Sequence, residues 1–162
     1  MTYLLDTDTF SNLARNDARV ELRYLLVGKA ATCISTVTVN EIEFGRSLHP
    51  DRVRKHNARI NALLNEIPAV SFDFDDARLT GNIRAILTRA GRRIGWYDVL
   101  IAGTALARGL ILVTSNTREF CRVDGLQLED WREATLEVRE PLRAAHRYRA
   151  AARSVTSHPI MS

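Results

Sequence analysis

Four acidic residues, spread over most of the chain, each lie beside an apolar run. They are Asp6 after YLL, Glu41 after TVTVN, Asp98 before VLIAGTALA and Glu119 shortly after LILVT. If those runs are the strands and helices of one buried sheet, their ends converge and bring the carboxylates together. Two carboxylates about 4 Å apart repel by roughly 4 kcal/mol at an effective dielectric near 20, so such a pocket protonates or binds a cation.

The cation that this set of oxygen ligands favours is Mg²⁺, with Mn²⁺ as the second choice, because hard ligands select hard metals. A metal with an open position activates water and clamps a scissile phosphate. The pattern therefore predicts a metal-dependent phosphodiesterase, in particular a nuclease. We expect Asp6 and Asp98 to be the metal ligands, and Glu41 and Glu119 to complete the shell or accept a proton from the attacking water.

Two of these carboxylates also have a structural interpretation as helix caps. Asp6 and Asp8 both precede a helix predicted to begin near Thr9, and Asp8 is the better placed to cap it. Asp8 would then support the site without taking part in the chemistry. Glu41 follows Thr38 at the spacing of a capping box, in which Glu bonds back to the start of its helix.

The other two carboxylates have equally plain alternatives. An acid at Asp98 would lie in the first turn of a helix, where the helix dipole favours it whether or not it binds metal. Glu119 would lie in an exposed turn as a solvated charge. A denser acidic cluster at the start of a later helix is predicted to consist of caps, namely Asp73, Asp75 and Asp76.

Length and composition bound the architecture. The chain has 162 residues, 46% of them hydrophobic, which is enough for one well-buried core and predicts one domain, 1–131, with an extension, 132–162. Cys33 and Cys121 have no zinc-ligand spacing around them and are typical of a reduced cytoplasmic protein. No apolar run approaches the length of a membrane span, and no leader segment precedes the first strand.

The net charge of +4 is concentrated in the extension, where six basic residues outnumber three acidic ones. Good helix formers and a proline predict a short helix from about Leu142 to Arg153, with the last residues disordered when free. Its basic character suggests electrostatic grip on RNA or on a partner, although a solvated appendage is the simpler interpretation.

Strand-like and helix-like segments alternate along the first 131 residues. The predicted strands cover residues 3–5, 31–35, 70–72, 110–114 and 126–128. The predicted helices cover residues 9–15, 18–27, 38–48, 51–66, 75–90 and 97–108. This alternation predicts an α/β fold with a mainly parallel sheet of about five strands, covered by helices on both faces. Ligands of such sheets bind at the carboxyl ends of the strands, where Asp6 and Thr114 lie.

The blocks YLLDTD, TVTVNEIEFG, IGWYDVLIAGTALARG and LILVTSNTREFCRVDGLQLEDW resemble the PIN-domain ribonucleases, most closely the VapC toxins of bacterial toxin-antitoxin pairs. The resemblance covers most of residues 2–131 and implies a single PIN-like α/β/α domain. It implies that Asp6, Glu41, Asp98 and Glu119 form the acidic quartet that holds Mg²⁺, with Asn116 lining the same pocket as a supporting polar residue beside Thr114.

The same resemblance implies partners as well as chemistry. A VapC-like toxin would act on RNA, form a homodimer and be neutralised by an antitoxin whose C-terminal part fills the acidic groove. Arginines that flank two of the acids would help to hold RNA, and these are Arg89, Arg92, Arg93, Arg118 and Arg122. Trp96 and Tyr97 could stack on a base, but aromatic residues beside an apolar helix are more often part of the core.

Two rival functions remain open on the sequence. The DTDT loop also fits a haloacid-dehalogenase-type phosphatase, in which Asp6 attacks phosphorus and Asp8 acts as general acid. No lysine follows Lys55, although that chemistry requires one late in the chain. The other rival is a PIN fold that binds RNA or protein without cleaving anything.

Overall fold

Five parallel strands form one sheet in the order β3-β2-β1-β4-β5. The computed structural model describes residues 2–133. The strands are β1 (Tyr3–Leu5), β2 (Thr32–Ser35), β3 (Ala69–Val70), β4 (Ile111–Val113) and β5 (Gln127–Glu129). Every neighbouring pair runs parallel, so the predicted α/β fold with a parallel five-stranded sheet is confirmed. The helix predicted at 142–153 and the tail beyond it lie outside the described residues.

Eight α-helices connect and cover the strands. They are α1 (Thr7–Ala14), α2 (Ala18–Val27), α3 (Thr36–Leu48), α4 (Pro50–Val53), α5 (Asn57–Glu66), α6 (Phe74–Arg89), α7 (Trp96–Arg108) and α8 (Thr117–Phe120), with short 3-10 turns at Lys29–Ala31 and Arg54–His56. Within residues 2–133, no helix combines the length and the apolar character that crossing a membrane requires.

The central strand divides the core into two halves. Leu4 packs with the buried side chains of α6 and α7, whereas Leu5 packs with those of α1, α2 and α5. Successive residues of a strand point to opposite faces, so β1 is apolar on both sides, as a buried parallel strand must be. The neighbouring strand β4 follows the same rule, with Leu112 on the first face and Val113 on the second.

Helix boundaries differ from the predicted ones where a strand leads directly into a helix. Helix α1 begins at Thr7 and α3 at Thr36, each two residues earlier than expected, because Asp6 and Ser35 cap them immediately after β1 and β2. The helix expected at 51–66 is interrupted by the 3-10 turn at 54–56. Helix α2 was predicted correctly at 18–27, with Gly28 at its end in a left-handed conformation at φ 80°.

Helices α6 and α7 form the closest helix pair of the domain. A Cβ atom on Gly103 would lie 2.0 Å from Cγ2 of Thr80, whose hydroxyl donates to the carbonyl of Asp76 at 2.9 Å. One turn further along the pair, the Arg108 guanidinium bonds to the buried carboxylate of Asp76 and, at 3.1 Å, to Asp73. Asp73 also caps α6 in a capping box with Asp76. The structure thus explains this part of the acidic cluster by capping and packing.

We predict that Gly103→Ala lowers the free energy of unfolding by about 1–3 kcal/mol, because the added methyl group forces α6 and α7 apart or breaks the Thr80 hydrogen bond. Urea denaturation of purified protein measures the change. Gly81→Ala on the neighbouring helix is the matched control, since nothing lies within 4 Å of its added Cβ. That control should raise stability by about 0.5–1 kcal/mol. Equal stability of both variants would contradict the close α6–α7 contact.

Candidate active site

Asp6 follows β1 at the carboxyl edge of the sheet and is only 4% exposed. Its N–H donates to the carbonyl of Val113 at 3.0 Å, which extends the pairing of β1 and β4 by one residue. Its Oδ1 accepts the N–H of Thr9 at 2.7 Å and so caps α1. The expectation that Asp8 would be the better cap is wrong, because β1 ends at Leu5 and leaves Asp6 at the capping position.

Burial raises the pKa of Asp6 from 3.8 to about 6. Hydrogen bonds from the Thr114 side chain and the Thr9 N–H oppose that rise, while the negative charge of Asp8 adds to it. Thr114 is fully buried at the end of β4, and its hydroxyl oxygen also accepts the N–H of Asn116 at 2.9 Å. Thr114 therefore connects Asp6 to the loop that leads into α8.

Asp98 lies in the first turn of α7, where Gly95 is the N-cap residue and makes no side-chain cap. The carboxylate folds back over the glycine, since a Cβ on Gly95 would lie 2.7 Å from Oδ2 of Asp98. The pKa of Asp98 is raised to about 6, first by burial and then by the negative charges of Glu119, Glu41 and Asp8. Its hydrogen bond with Glu119 raises the pKa further.

Glu41 and Glu119 are both half-buried and reach Asp98 from different helices. Glu41 accepts a hydrogen bond from the Thr7 hydroxyl across the gap between α3 and α1. The cap of α3 is Ser35, so the capping-box interpretation of Glu41 is wrong. Glu119 lies in the first turn of the short helix α8, which follows Asn116. The negative charges of Glu119, Glu41 and Asp8 thus each raise the pKa of Asp98, although these residues come from separate parts of the sequence.

The site contains the carboxylate oxygens that a hard divalent cation prefers, but the carboxylates do not form one compact group. Among the described residues, no three His, Cys, Asp or Glu side chains form a group that could hold a metal ion. Mg²⁺ is nevertheless commonly bound by one or two carboxylates with waters and substrate phosphates completing the octahedron. Asp6 and Asp98 are the two carboxylates with raised pKa, and a bound cation would offset the cost of burying their negative charge.

Two threonines of the site were missed by the sequence analysis. Thr7 donates to Glu41, and the Thr9 hydroxyl donates to the Val113 carbonyl at 2.9 Å. Their position in the polar DTDT segment, directly after a buried strand, was the available signal. The core assignment of Trp96 and Tyr97 is wrong, since these side chains are 69% and 47% exposed. Both residues lie in the first turn of α7.

Comparison with known proteins agrees with this geometry. The model of the family described as PIN domain matches residues 3–126, and the chain belongs to that family. The tRNA(fMet)-specific endonuclease VapC of Shigella flexneri is 42% identical over 81% of this chain and 98% of its own length. The protein of the same name from Salmonella typhimurium is 35% identical, with the same coverage.

A solved structure places the chain more closely within the family. The DNA-bound VapBC complex of Salmonella typhimurium contains a chain that is 36% identical, with a TM-score of 0.72, over 81% of this chain and 98% of that one. Within the PIN family the protein therefore belongs with the VapC ribonucleases. The phosphatase interpretation of the DTDT loop and the non-catalytic interpretation are not favoured by these relationships.

We predict that the metal-free protein loses stability as pH rises through about 6. The folded-state pKa of Asp6 lies above the ordinary value of 3.8, so the folded protein binds the proton more tightly, and this contribution is full below 3.8 and lost above about 6. For Asp6 alone the loss is at most about 3 kcal/mol. Thermal unfolding in EDTA between about pH 4 and pH 7.5 measures it.

Asp6→Asn separates this effect from the cap, because Asn caps helices as well as Asp. The variant should be more stable than wild type at about pH 7.5 and should depend less on pH. Asp75→Asn, an exposed acid outside the site, should leave the wild-type pH dependence unchanged. An Asp6→Asn protein less stable than wild type at neutral pH would contradict the raised pKa.

Proposed function

We propose that this protein is a Mg²⁺-dependent ribonuclease that acts as the toxin of a toxin-antitoxin pair. The observation that carries the proposal is the environment of Asp98, whose pKa is raised by burial and by Glu119, Glu41 and Asp8 together. Burying a carboxylate among other negative charges costs free energy, and carboxylates with pKa values shifted in this way are typical of catalytic centres. The VapC relatives supply the type of reaction.

Each residue would have a separate task in the cleavage. Asp6 and Asp98 would hold the cation, which when bound supplies water activation and neutralises phosphate charge. Glu119 and Glu41 would orient the shell, and one of them would accept the proton of the attacking water. Thr114 would fix the Asp6 carboxylate through its hydrogen bond, with Asn116 held beside it. Attack by water, and not by the ribose 2′-hydroxyl, would leave a 5′-phosphate and a 3′-hydroxyl.

The substrate class that the relatives suggest is tRNA. Two of them are named tRNA(fMet)-specific endonucleases, and each matches this chain over 98% of its own length. We propose an initiator-type tRNA as the first substrate to test. The two free cysteines, Cys33 and Cys121, fit the reducing cytoplasm in which such a substrate is found.

We predict that Asp98→Asn abolishes Mg²⁺-dependent cleavage of RNA, lowering the rate by a factor of about 100 or more, because the variant loses a metal ligand. Gel analysis of tRNA cleavage with Mg²⁺, with Mn²⁺ and with EDTA measures the activity. A second readout is the melting temperature, which Mg²⁺ should raise in wild type and leave nearly unchanged in Asp98→Asn.

Glu43→Gln is the matched control for this experiment. Glu43 lies on α3, two residues from Glu41, and forms an exposed ion pair with Arg46 at 3.0 Å, so its loss should cost little. It should cleave RNA like wild type. Full cleavage by wild type in EDTA, or wild-type rates in Asp98→Asn, would remove the assignment of the metal ligands.

Exposed apolar faces support the proposal of protein partners. Leu22, Leu25 and Leu26 lie together on the solvent side of α2, at the spacing of neighbouring helix positions, and Phe44 and Leu48 do the same on α3. Clusters of this kind mark interaction surfaces on soluble proteins. The VapBC structure of Salmonella typhimurium is a complex, so we propose that an antitoxin and a second copy of this chain cover these faces.

We predict that expression of the wild-type chain alone arrests growth, that Asp98→Asn does not, and that co-expression of the protein encoded beside it restores growth. The reason is that arrest depends on the cleavage chemistry, which an antitoxin blocks. Growth curves at matched protein levels measure this. Equal growth of the wild-type and Asp98→Asn strains would contradict the toxin role, and light scattering showing a strict monomer at tens of micromolar would contradict the homodimer.

A further inference from the structure

A cavity of about 330 Å³ lies between the C-terminal half of α6 and the start of α7. Two buried side chains, Leu87 and Val99, form its floor. Exposed side chains form its rim, and these are Arg84, Thr88, Arg93 and Trp96. We call this cavity the Trp96 pocket. It combines an apolar floor, one large aromatic ring and two arginines, and its volume falls in the range of small-ligand sites.

Trp96 is the most distinctive member of the pocket. Its indole is 69% exposed, although burial of an aromatic ring of this size would stabilise the fold. The Arg84 guanidinium carbon lies 3.7 Å from the centre of the ring, in a cation–π contact. An indole held at the surface beside an arginine is the arrangement with which proteins stack bases of single-stranded nucleic acid.

The pocket adjoins the candidate active site through two connections. Trp96 lies two residues before Asp98 in the first turn of α7, so one rigid element carries both the indole and the carboxylate. Arg122, just beyond the helix that carries Glu119, donates from Nη1 to the Arg93 carbonyl at 2.7 Å. This bond ties the rim of the pocket to the segment that follows α8. The pocket is therefore connected to the helix that carries Asp98 and to the segment that follows Glu119.

Charge changes sign between the two neighbouring regions. The charged side chains that line the pocket are arginines, whereas those that act on Asp98 are acids. An RNA strand brought to the acids carries a phosphate at every nucleotide, and a phosphate beside the scissile one needs cationic partners. Arginine and an aromatic face together suit a nucleotide better than they suit an acidic peptide, which has no ring to stack.

We propose that the Trp96 pocket binds one nucleotide of single-stranded RNA adjacent to the scissile phosphate, with its base on the Trp96 ring and its phosphate on Arg84 and Arg93. The proposal rests on the ribonuclease function given above and deepens it by naming a substrate subsite. Trp96 is here a binding residue, and the chemistry stays with the carboxylates. Loss of one stacked base weakens single-strand binding by about tenfold or more.

The chain offers a direct spectroscopic test. It has two tryptophans, and the other one, Trp131, is only 5% exposed. A short single-stranded RNA added to the full-length Asp98→Asn protein, which binds without cleaving, should quench the fluorescence of Trp96. Trp96→Phe removes that signal while keeping a ring, so affinity measured by anisotropy of labelled RNA should stay within a few-fold of the Asp98→Asn parent. Trp96→Ala should weaken binding by about tenfold or more.

Phe74→Ala is the matched control. Phe74 is another exposed aromatic residue at the start of a helix, 75% exposed, with Arg78 placed 5.8 Å from its ring. It begins α6, beside the end of α7 that carries Arg108, and is thus remote from Asp98. Phe74→Ala should leave RNA affinity and the KM for cleavage unchanged, whereas Trp96→Ala in the active protein should raise KM with little change in kcat.

The outcomes separate this proposal from the proposed function. Unchanged affinity and KM in Trp96→Ala, in a wild type that cleaves RNA, would overturn the subsite and leave the ribonuclease standing. Loss of antitoxin binding with unchanged RNA binding would overturn it in favour of a protein contact. A wild type that neither binds nor cleaves RNA would overturn both. Equal losses in Trp96→Ala and Phe74→Ala would also refute the pocket, because they would point to a general effect of exposed aromatic residues.

Discussion

The parallel pairing of β1 with a strand on each side is the constraint on which the rest of the structure depends. Leu5 pairs with Ile34 of β2 and with Val113 of β4, so three strands end at the same level. Because all of them run in one direction, the residues that follow them meet at one edge of the sheet. Asp6 and Thr114 are placed there by pairing alone, and helix α3 starts there with Glu41 on its second turn. A slip of one residue would exchange the side chains that β1 directs to the two halves of the core and move Asp6 out of its place.

Repulsion between the acids opposes this assembly, and local contacts offset it. Asp6 is stabilised by the Thr9 N–H and the Thr114 hydroxyl, yet burial still outweighs them and raises its pKa to about 6. Asp98 is positioned by α7, the helix that carries it. That helix is fixed to α6 at one end by Arg108 and along its length by the close approach of Gly103. Contacts of α7 with α6 at Gly103 and Arg108, away from Asp98, therefore help to hold its charge where it is electrostatically disfavoured.

The sequence predicted the strands and the acidic site better than it predicted local roles. Apolar runs of the β1 and β4 type have few alternatives once they are flanked by polar residues, and parallel connectivity then follows from the intervening helices. The functional roles of Asp6 and Asp98 stay predictions, although neighbouring residues that were expected in the site shift the pKa of both. What failed were choices that depend on tertiary contacts. Whether Asp6 or Asp8 caps α1 is decided by where β1 ends, and the exposure of Trp96 is decided by how little of its ring the neighbouring side chains cover.

Trp131 packs into the core near the end of the described part of the chain. Its indole is buried, packs edge-on against Tyr3 with ring centres 5.5 Å apart, and donates from Nε1 to Glu129 at 3.0 Å. Glu129 in turn pairs with Arg23 of α2 at 3.2 Å. These contacts place Trp131 in the second half of the core, and the domain boundary at 131 stays a prediction. The chain then leaves beside the start of α2, where Arg19 donates to the Arg132 carbonyl at 2.9 Å. The last described residues are thus joined to β1 through Tyr3 and to the start of α2 through Arg19.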